Sequence, residues 1–193
     1  MVNTQEFRDN KYKGDIGEGI VKFLIDSMEA DGWQCIPFGV ETKVQALKES
    51  LKLVGGDTSI KIRCMPDFVA VNSKEKIAYF IESKSRSSKT DFWGFKAGTI
   101  HNYVNFWKES KIIMVYPEQP HFSVIEVKDI DIKKHYLNYH WTDKIPKELI
   151  HNWNFKEIQK DIKSLFPNLT DEQLKKAITI IPKDNKKQGT KED

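Results

Sequence analysis

The chain has 193 residues, a net charge of +3, 31% charged and 39% hydrophobic residues and a mean hydropathy of -0.57, which suit one globular domain with a real core. No run approaches the roughly 18 apolar residues of a membrane span, and the polar start MVNTQEFRDNKYK has no apolar signal core, so a cytoplasmic protein without membrane contact is expected. Cys35 and Cys64 form no CxxC or Cys/His cluster, which excludes the usual zinc-site spacing, while the small positive charge permits a nucleic-acid partner without requiring one.

Along the chain, DIGEGIVKFLIDSMEA (15–30) places Ile16, Ile20, Phe23, Leu24 and Met28 at helical spacing, with Asp31-Gly32 as the stop. WQCIPFG (33–39) reads as a short strand. ETKVQALKESLKLVGG sets Val44, Leu47 and Leu51 in helical period and ends at Gly55-Gly56, so a second helix is expected there, whereas SIKIR (59–63) alternates like a strand. Phe68 to Val71 and Lys76 to Ser83 read as neighbouring strands joined by the polar turn NSKEK. IAYFI is almost continuously apolar, as in a central strand covered on both faces.

KSRSSKTDFWGFK (84–96) then carries Lys84, Arg86, Lys89 and Lys96 against Asp91 alone and reads as a cationic loop. AGTIHNYVNFWKES has helical spacing, followed by IIMVY and FSVIEV as strands. The plan is thus a core over 1–128 with a helical insertion at 41–58, and a mostly helical, aromatic and lysine-rich extension over 129–182. Within that extension Thr170 to Gln173 makes a capping box for the last helix. Residues 183–193 form a charged, disordered tail.

The acids bracketing the two middle strands raise the functional question. Asp67, after Pro66, opens one strand, and Glu82-Ser83-Lys84 closes the next. Side chains alternate along a strand, so Glu82 and Lys84 share a face; in an antiparallel hairpin Asp67 and Glu82 lie at the same sheet end, within reach of one cation. Glu18, in the preceding helix, can add a third oxygen. Each residue also has a plain structural reading: Asp67 as a strand opener, Glu82 with Lys84 as a surface pair, Glu18 as an acid complementing a helix dipole. The five histidines show no HxxxH or HxH spacing, and no P-loop, Rossmann glycine fingerprint or GxSxG occurs.

A helix acid, Pro-Asp at a strand, Glu-x-Lys on the next strand and then a helix is similar to the ordered plan of the PD-(D/E)XK nuclease superfamily. Within it, the GxxGE opening, PDFVAV and IESKSR most resemble archaeal Holliday junction resolvases, over about residues 11 to 117. The resemblance implies an α/β, restriction-endonuclease-like core with a mixed central sheet flanked by helices, and a Mg²⁺-dependent deoxyribonuclease in which Mn²⁺ substitutes. It implies Asp67 and Glu82 as metal ligands with the Ser83 carbonyl, Glu18 on a second cation or a metal-bound water, and Lys84 orienting the attacking water. Hard oxygen donors suit such an ion.

Arg86, Lys89, Lys96 and Ser85 are suited to DNA phosphates, and Tyr103 lies near where this superfamily often carries a further polar helix. Trp93 and Phe95 serve either as core or as stacking platforms for bases. Branched DNA as substrate and a homodimer would follow from a resolvase. A restriction-like or repair endonuclease on duplex DNA, and a non-cleaving nucleic-acid-binding protein, are the alternatives.

Overall fold

The computed structural model describes residues 4–39, 47, 50, 51, 53–86, 92–96, 98–116, 121–133, 135–142 and 145–179. In chain order the elements are α1 (Thr4–Asp26), β1 (Trp33–Pro37), α2 (Asp57–Arg63), β2 (Phe68–Asn72), β3 (Ile77–Ser85), β4 (Phe92–Lys96), α3 (Thr99–Phe106), β5 (Lys111–Tyr116), β6 (His121–Glu126), β7 (His135–Thr142), β8 (Ile145–Asn154), β9 (Lys160–Asp161) and α4 (Asp171–Thr179). A six-stranded sheet runs β1-β2-β3-β5-β6-β9, and a second sheet of three strands runs β4-β8-β7. The β3–β5 pair is parallel and the other pairings are antiparallel, so the central sheet is mixed, as expected. No helix among the described residues is long and apolar enough to cross a membrane.

Period two along β5 sends successive side chains to two different cores. Ile113 and Val115 join Ile81, with Ile20 and Leu24 of α1 and Ala177 and Ile178 of α4, on one face. Ile112, Met114 and Tyr116 meet Ile100 and Tyr103 of α3, with Trp93, Trp153 and Phe155, on the other. The sheet therefore lies between two helical layers, with the smaller sheet completing the second.

Most expected elements form. The first helix begins earlier than its apolar period, at Thr4, and the chain turns at Gly32, whose φ of 97° suits glycine. The β2–β3 turn is held by the Asn72 Oδ1, which accepts from the backbone N–H groups of Lys74 and Glu75, both at 3.0 Å. The capping box forms, with Gln173 N–H donating to Thr170 Oγ1 at 3.2 Å and Thr170 N–H to Gln173 Oε1 at 2.9 Å. Leu47 and Leu51 are helical, while Val44 and the tail at 183–193 lie outside the described residues.

Three expectations are corrected. SIKIR is the body of α2, not a strand: Asp57 opens it and Lys61 and Arg63 close it, matching the helix dipole, and the buried face carries Ser59, whose Oγ donates to Leu51 O at 2.8 Å. Residues 92–96 are strand β4, paired with β8 so that Trp93 faces Trp153. The mostly helical reading of 129–182 fails most widely, because β7 and β8 form a hairpin and among its described residues only α4 is α-helical. Aromatic content favours a pleated surface, and the buried–exposed–buried order at Trp153, Asn154 and Phe155 shows the period of two. Pro146 is accommodated beside an irregularity between His140 and Trp141.

At one end of the sheet, Glu126 binds three ammonium groups: Lys111 at 2.7 Å, Lys160 at 2.7 Å and Lys128 at 2.9 Å. Hydrogen bonds from Lys111 and then the other two lysines hold its carboxyl below the ordinary glutamate range. Lys111 is only 9% exposed, so losing its acid leaves a nearly buried charge unpaired. Glu126→Gln is expected to lower the unfolding free energy by about 2 kcal/mol at neutral pH. A carboxyl with a depressed folded pKa stabilises above its ordinary value, 4.5, so the difference from wild type should shrink as pH falls below that value. Urea denaturation across pH measures both.

Candidate active site

Asp67 stands one residue before β2 with its main chain clamped: the N–H groups of Phe38 and Gly39, at the end of β1, donate to its carbonyl at 2.8 and 3.2 Å. Phe68 pairs with Ile81, so the antiparallel register continued by one step sets Asp67 opposite Glu82. The Ser83 N–H then donates to Asp67 Oδ2 at 2.8 Å. A strand amide that would otherwise complete the ladder is spent on a carboxylate.

Glu82 is 3% exposed. Its Oε1 accepts from Lys84 Nζ, while its Oε2 is buried without a hydrogen-bond partner. An orphaned buried carboxylate oxygen is costly. Burial, then the charge of Glu82, then that of Glu18 push the Asp67 carboxyl from an ordinary 3.8 up to about 8, against the opposing pull of Lys84 and the Ser83 N–H. For Lys84, burial works against the ammonium, but Glu82, Asp67 and Glu18 outweigh it and raise its pKa. Its side chain as a whole is 33% exposed.

Two further elements wall the site. Gly17 of α1 sits directly on β3, where a Cβ would come within 2.7 Å of Ser85 Cβ. That close approach brings the next residue, Glu18, near enough for its charge to be felt by Asp67 and Lys84. From the other face, α3 contributes Tyr103, whose hydroxyl is pushed well above the phenol range by burial first and by the charge of Glu82 second.

The structure thus brings Asp67, Glu82, Ser83 and Lys84 together, with Glu18 at the margin. Among the described residues no group of three or more His, Cys, Asp and Glu side chains is gathered closely enough to hold a metal ion. The two carboxylates fit a smaller requirement. Mg²⁺ is commonly held by one or two carboxylates and keeps several waters, and an unpartnered, buried Glu82 oxygen opposite a second acid is a donor set of that kind.

The other sequence candidates fare unevenly. Tyr103 is buried rather than available to DNA, because α3 packs it onto the sheet. Ser85 lies on the α1 side of β3, one step out of phase with Glu82 and Lys84. Arg86 is exposed beside the site. The backbone of Lys96 is in β4, opposite Ile150, and Lys89 is outside the described residues. Trp93 and Phe95 are core, not stacking platforms. Cys64, which caps the end of α2, lies near enough to Glu82 for that charge to help raise its thiol after burial; no motif marks this residue.

No protein-family model matches the chain, and no curated protein matches it. Among solved structures the chain is similar to Hjc, a Holliday junction resolvase from the archaeal hyperthermophile Archaeoglobus fulgidus, with 14% sequence identity and a TM-score of 0.42, covering 76% of this chain and 96% of that one. A likeness at that level carries no weight for the chemistry, which rests on the side-chain geometry.

The raised Asp67 carboxyl has a measurable consequence. Free of cations, the folded chain keeps this proton to about pH 8, while the unfolded chain releases it near 3.8. Stability therefore falls as pH rises between those values, by at most about 1.4 kcal/mol per pH unit. Asp67→Asn should flatten that dependence. A divalent cation held by the two carboxylates would raise the melting temperature more at about pH 8 than at about pH 6, since such binding requires the ionised carboxylate. Thermal unfolding in chelator and in Mg²⁺ reads both effects.

Proposed function

We propose that this chain is a divalent-metal-dependent DNA endonuclease that hydrolyses phosphodiester bonds. One observation carries the reading: Asp67, held by the Ser83 N–H at 2.8 Å, lies opposite a buried Glu82 that has one oxygen on Lys84 and the other without a partner. The order Glu18, Pro66-Asp67, Glu82-Ser83-Lys84 resembles the PD-(D/E)XK plan, which supports the same conclusion.

Asp67 and Glu82, with the Ser83 carbonyl, would hold Mg²⁺ or Mn²⁺. Bound there, the ion would offset phosphate charge and acidify a water. The residues of the chain do the rest. Lys84, charged and partly exposed, orients the attacking water and balances charge on the phosphate. Glu18 reaches the site through a water or a second cation. Tyr103 closes the inner side and limits the freedom of Glu82. Branched DNA is the preferred substrate class, and paired symmetric cuts on such a junction need two sites, hence a two-fold homodimer.

Purified protein with Mg²⁺ is expected to cut a four-way junction in preference to flap, splayed-arm and linear duplex substrates. Asp67→Ala and Lys84→Ala should each lower the cleavage rate by about 10²-fold or more while DNA binding is retained and both variants remain folded. Preferential cutting of linear duplex would favour a restriction-like or repair enzyme. Binding without cutting of any substrate, in Mg²⁺ and in Mn²⁺, would overturn the nuclease reading in favour of a non-cleaving binding protein.

A further inference from the structure

Phe80, Glu82 and Lys84 share one face of β3, and Arg86 continues that row, because its N–H still donates to Val115 O at 2.9 Å beyond the end of the strand. Each end of the row carries an exposed cation laid on an aromatic ring. Past Lys84, the Arg86 guanidinium stands 5.2 Å from the centre of the Trp93 ring. Past Phe80, the Lys61 ammonium stands 5.5 Å from the centre of the Trp107 ring, and Trp107 itself packs edge-on against Phe80 at 5.3 Å.

Both rings are fixed. Trp93 is 2% exposed and its Nε1 donates to the Tyr116 hydroxyl at 3.0 Å, which also accepts from Gln159 Nε2 at 3.2 Å. Trp107 Nε1 donates to Lys61 O at 3.2 Å, tying the ring to the helix that carries the cation.

Resting on the nuclease reading, we propose that Lys61 and Arg86 take backbone phosphates of a DNA strand on either side of the acid pair. The physical need is specific. The acid pair offers a DNA strand no net positive charge to hold it, so a strand crossing the site must be held from both sides. A long cationic side chain restrained over a ring has less rotamer entropy left to lose when it binds. The Arg86 guanidinium can stack and still direct donors outward.

The test is the salt dependence of binding, read by fluorescence anisotropy on a labelled four-way junction with full-length protein in chelator, so that no strand is cut. Each phosphate contact contributes close to one unit to the slope of log K against log salt. Lys61→Ala and Arg86→Ala are each expected to reduce that slope by about one unit without shifting the melting temperature, and Arg86→Lys to restore the slope. Unchanged slopes in both alanine variants, with wild-type protein that cuts in Mg²⁺, would overturn these contacts and leave the nuclease reading standing. Reduced slopes with wild-type protein that cuts nothing would support the contacts and overturn the nuclease reading.

Discussion

The register between β2 and β3 is the constraint on which the site depends. Asp67 and Glu82 meet because Phe68 pairs with Ile81, and a slip of one residue would carry Glu82 and Lys84 to the α1 face and Ile81 out of its core. The slip is opposed from both sides. Ile81 is fully buried among α1 residues, while the Asp67 carbonyl is bound by two amides from the end of β1. Packing and backbone hydrogen bonds thus hold together two carboxyls that repel one another once both are ionised.

The two acidic clusters of the sheet show how differently the same fold treats carboxylates. Glu126 is surrounded by Lys111, Lys128 and Lys160, so its charge is more than matched and its carboxyl is held low. Asp67 and Glu82 share Lys84, with Glu18 adding further negative charge, and the Asp67 carboxyl is driven high. A structural ion network balances its charges, whereas this site is left short of positive charge. Such a deficit, in a place where each residue is held by backbone hydrogen bonds or close packing, sets this pair apart from the structural ion network and marks it as the candidate functional site.

The second sheet bears on the chemistry through support. Trp93 and Trp153, facing one another across β4 and β8, cover Tyr116 and Met114 and complete the core against which Tyr103 packs. The C-terminal strands therefore stiffen the wall behind Glu82, and β4 supplies the ring under Arg86. Gly17 plays the corresponding part on the other face, since any side chain there would lift α1, and Glu18 with it, from β3.

Local pattern alone determined α1, the β2–β3 hairpin, strands β5 and β6, the capping box at Thr170 and the pairing of Asp67 with Glu82-x-Lys84. In each, the hydrophobic period or the turn chemistry agrees with the packing finally adopted. Residues 129 to 154 and SIKIR were illegible for opposite reasons. The aromatic segment has a mixed period and becomes the β7–β8 hairpin, whose β8 strand also pairs with β4, a partner distant in sequence, while Ile60 and Ile62 imitate alternation within a segment whose buried residue is Ser59. Tertiary structure alone decided that Tyr103 closes the site instead of facing solvent, that Ser85 meets α1, and that Arg86 and Lys61 rest on fixed rings. Those are distances between elements set by how two cores fill, and residue spacing along one chain does not encode them.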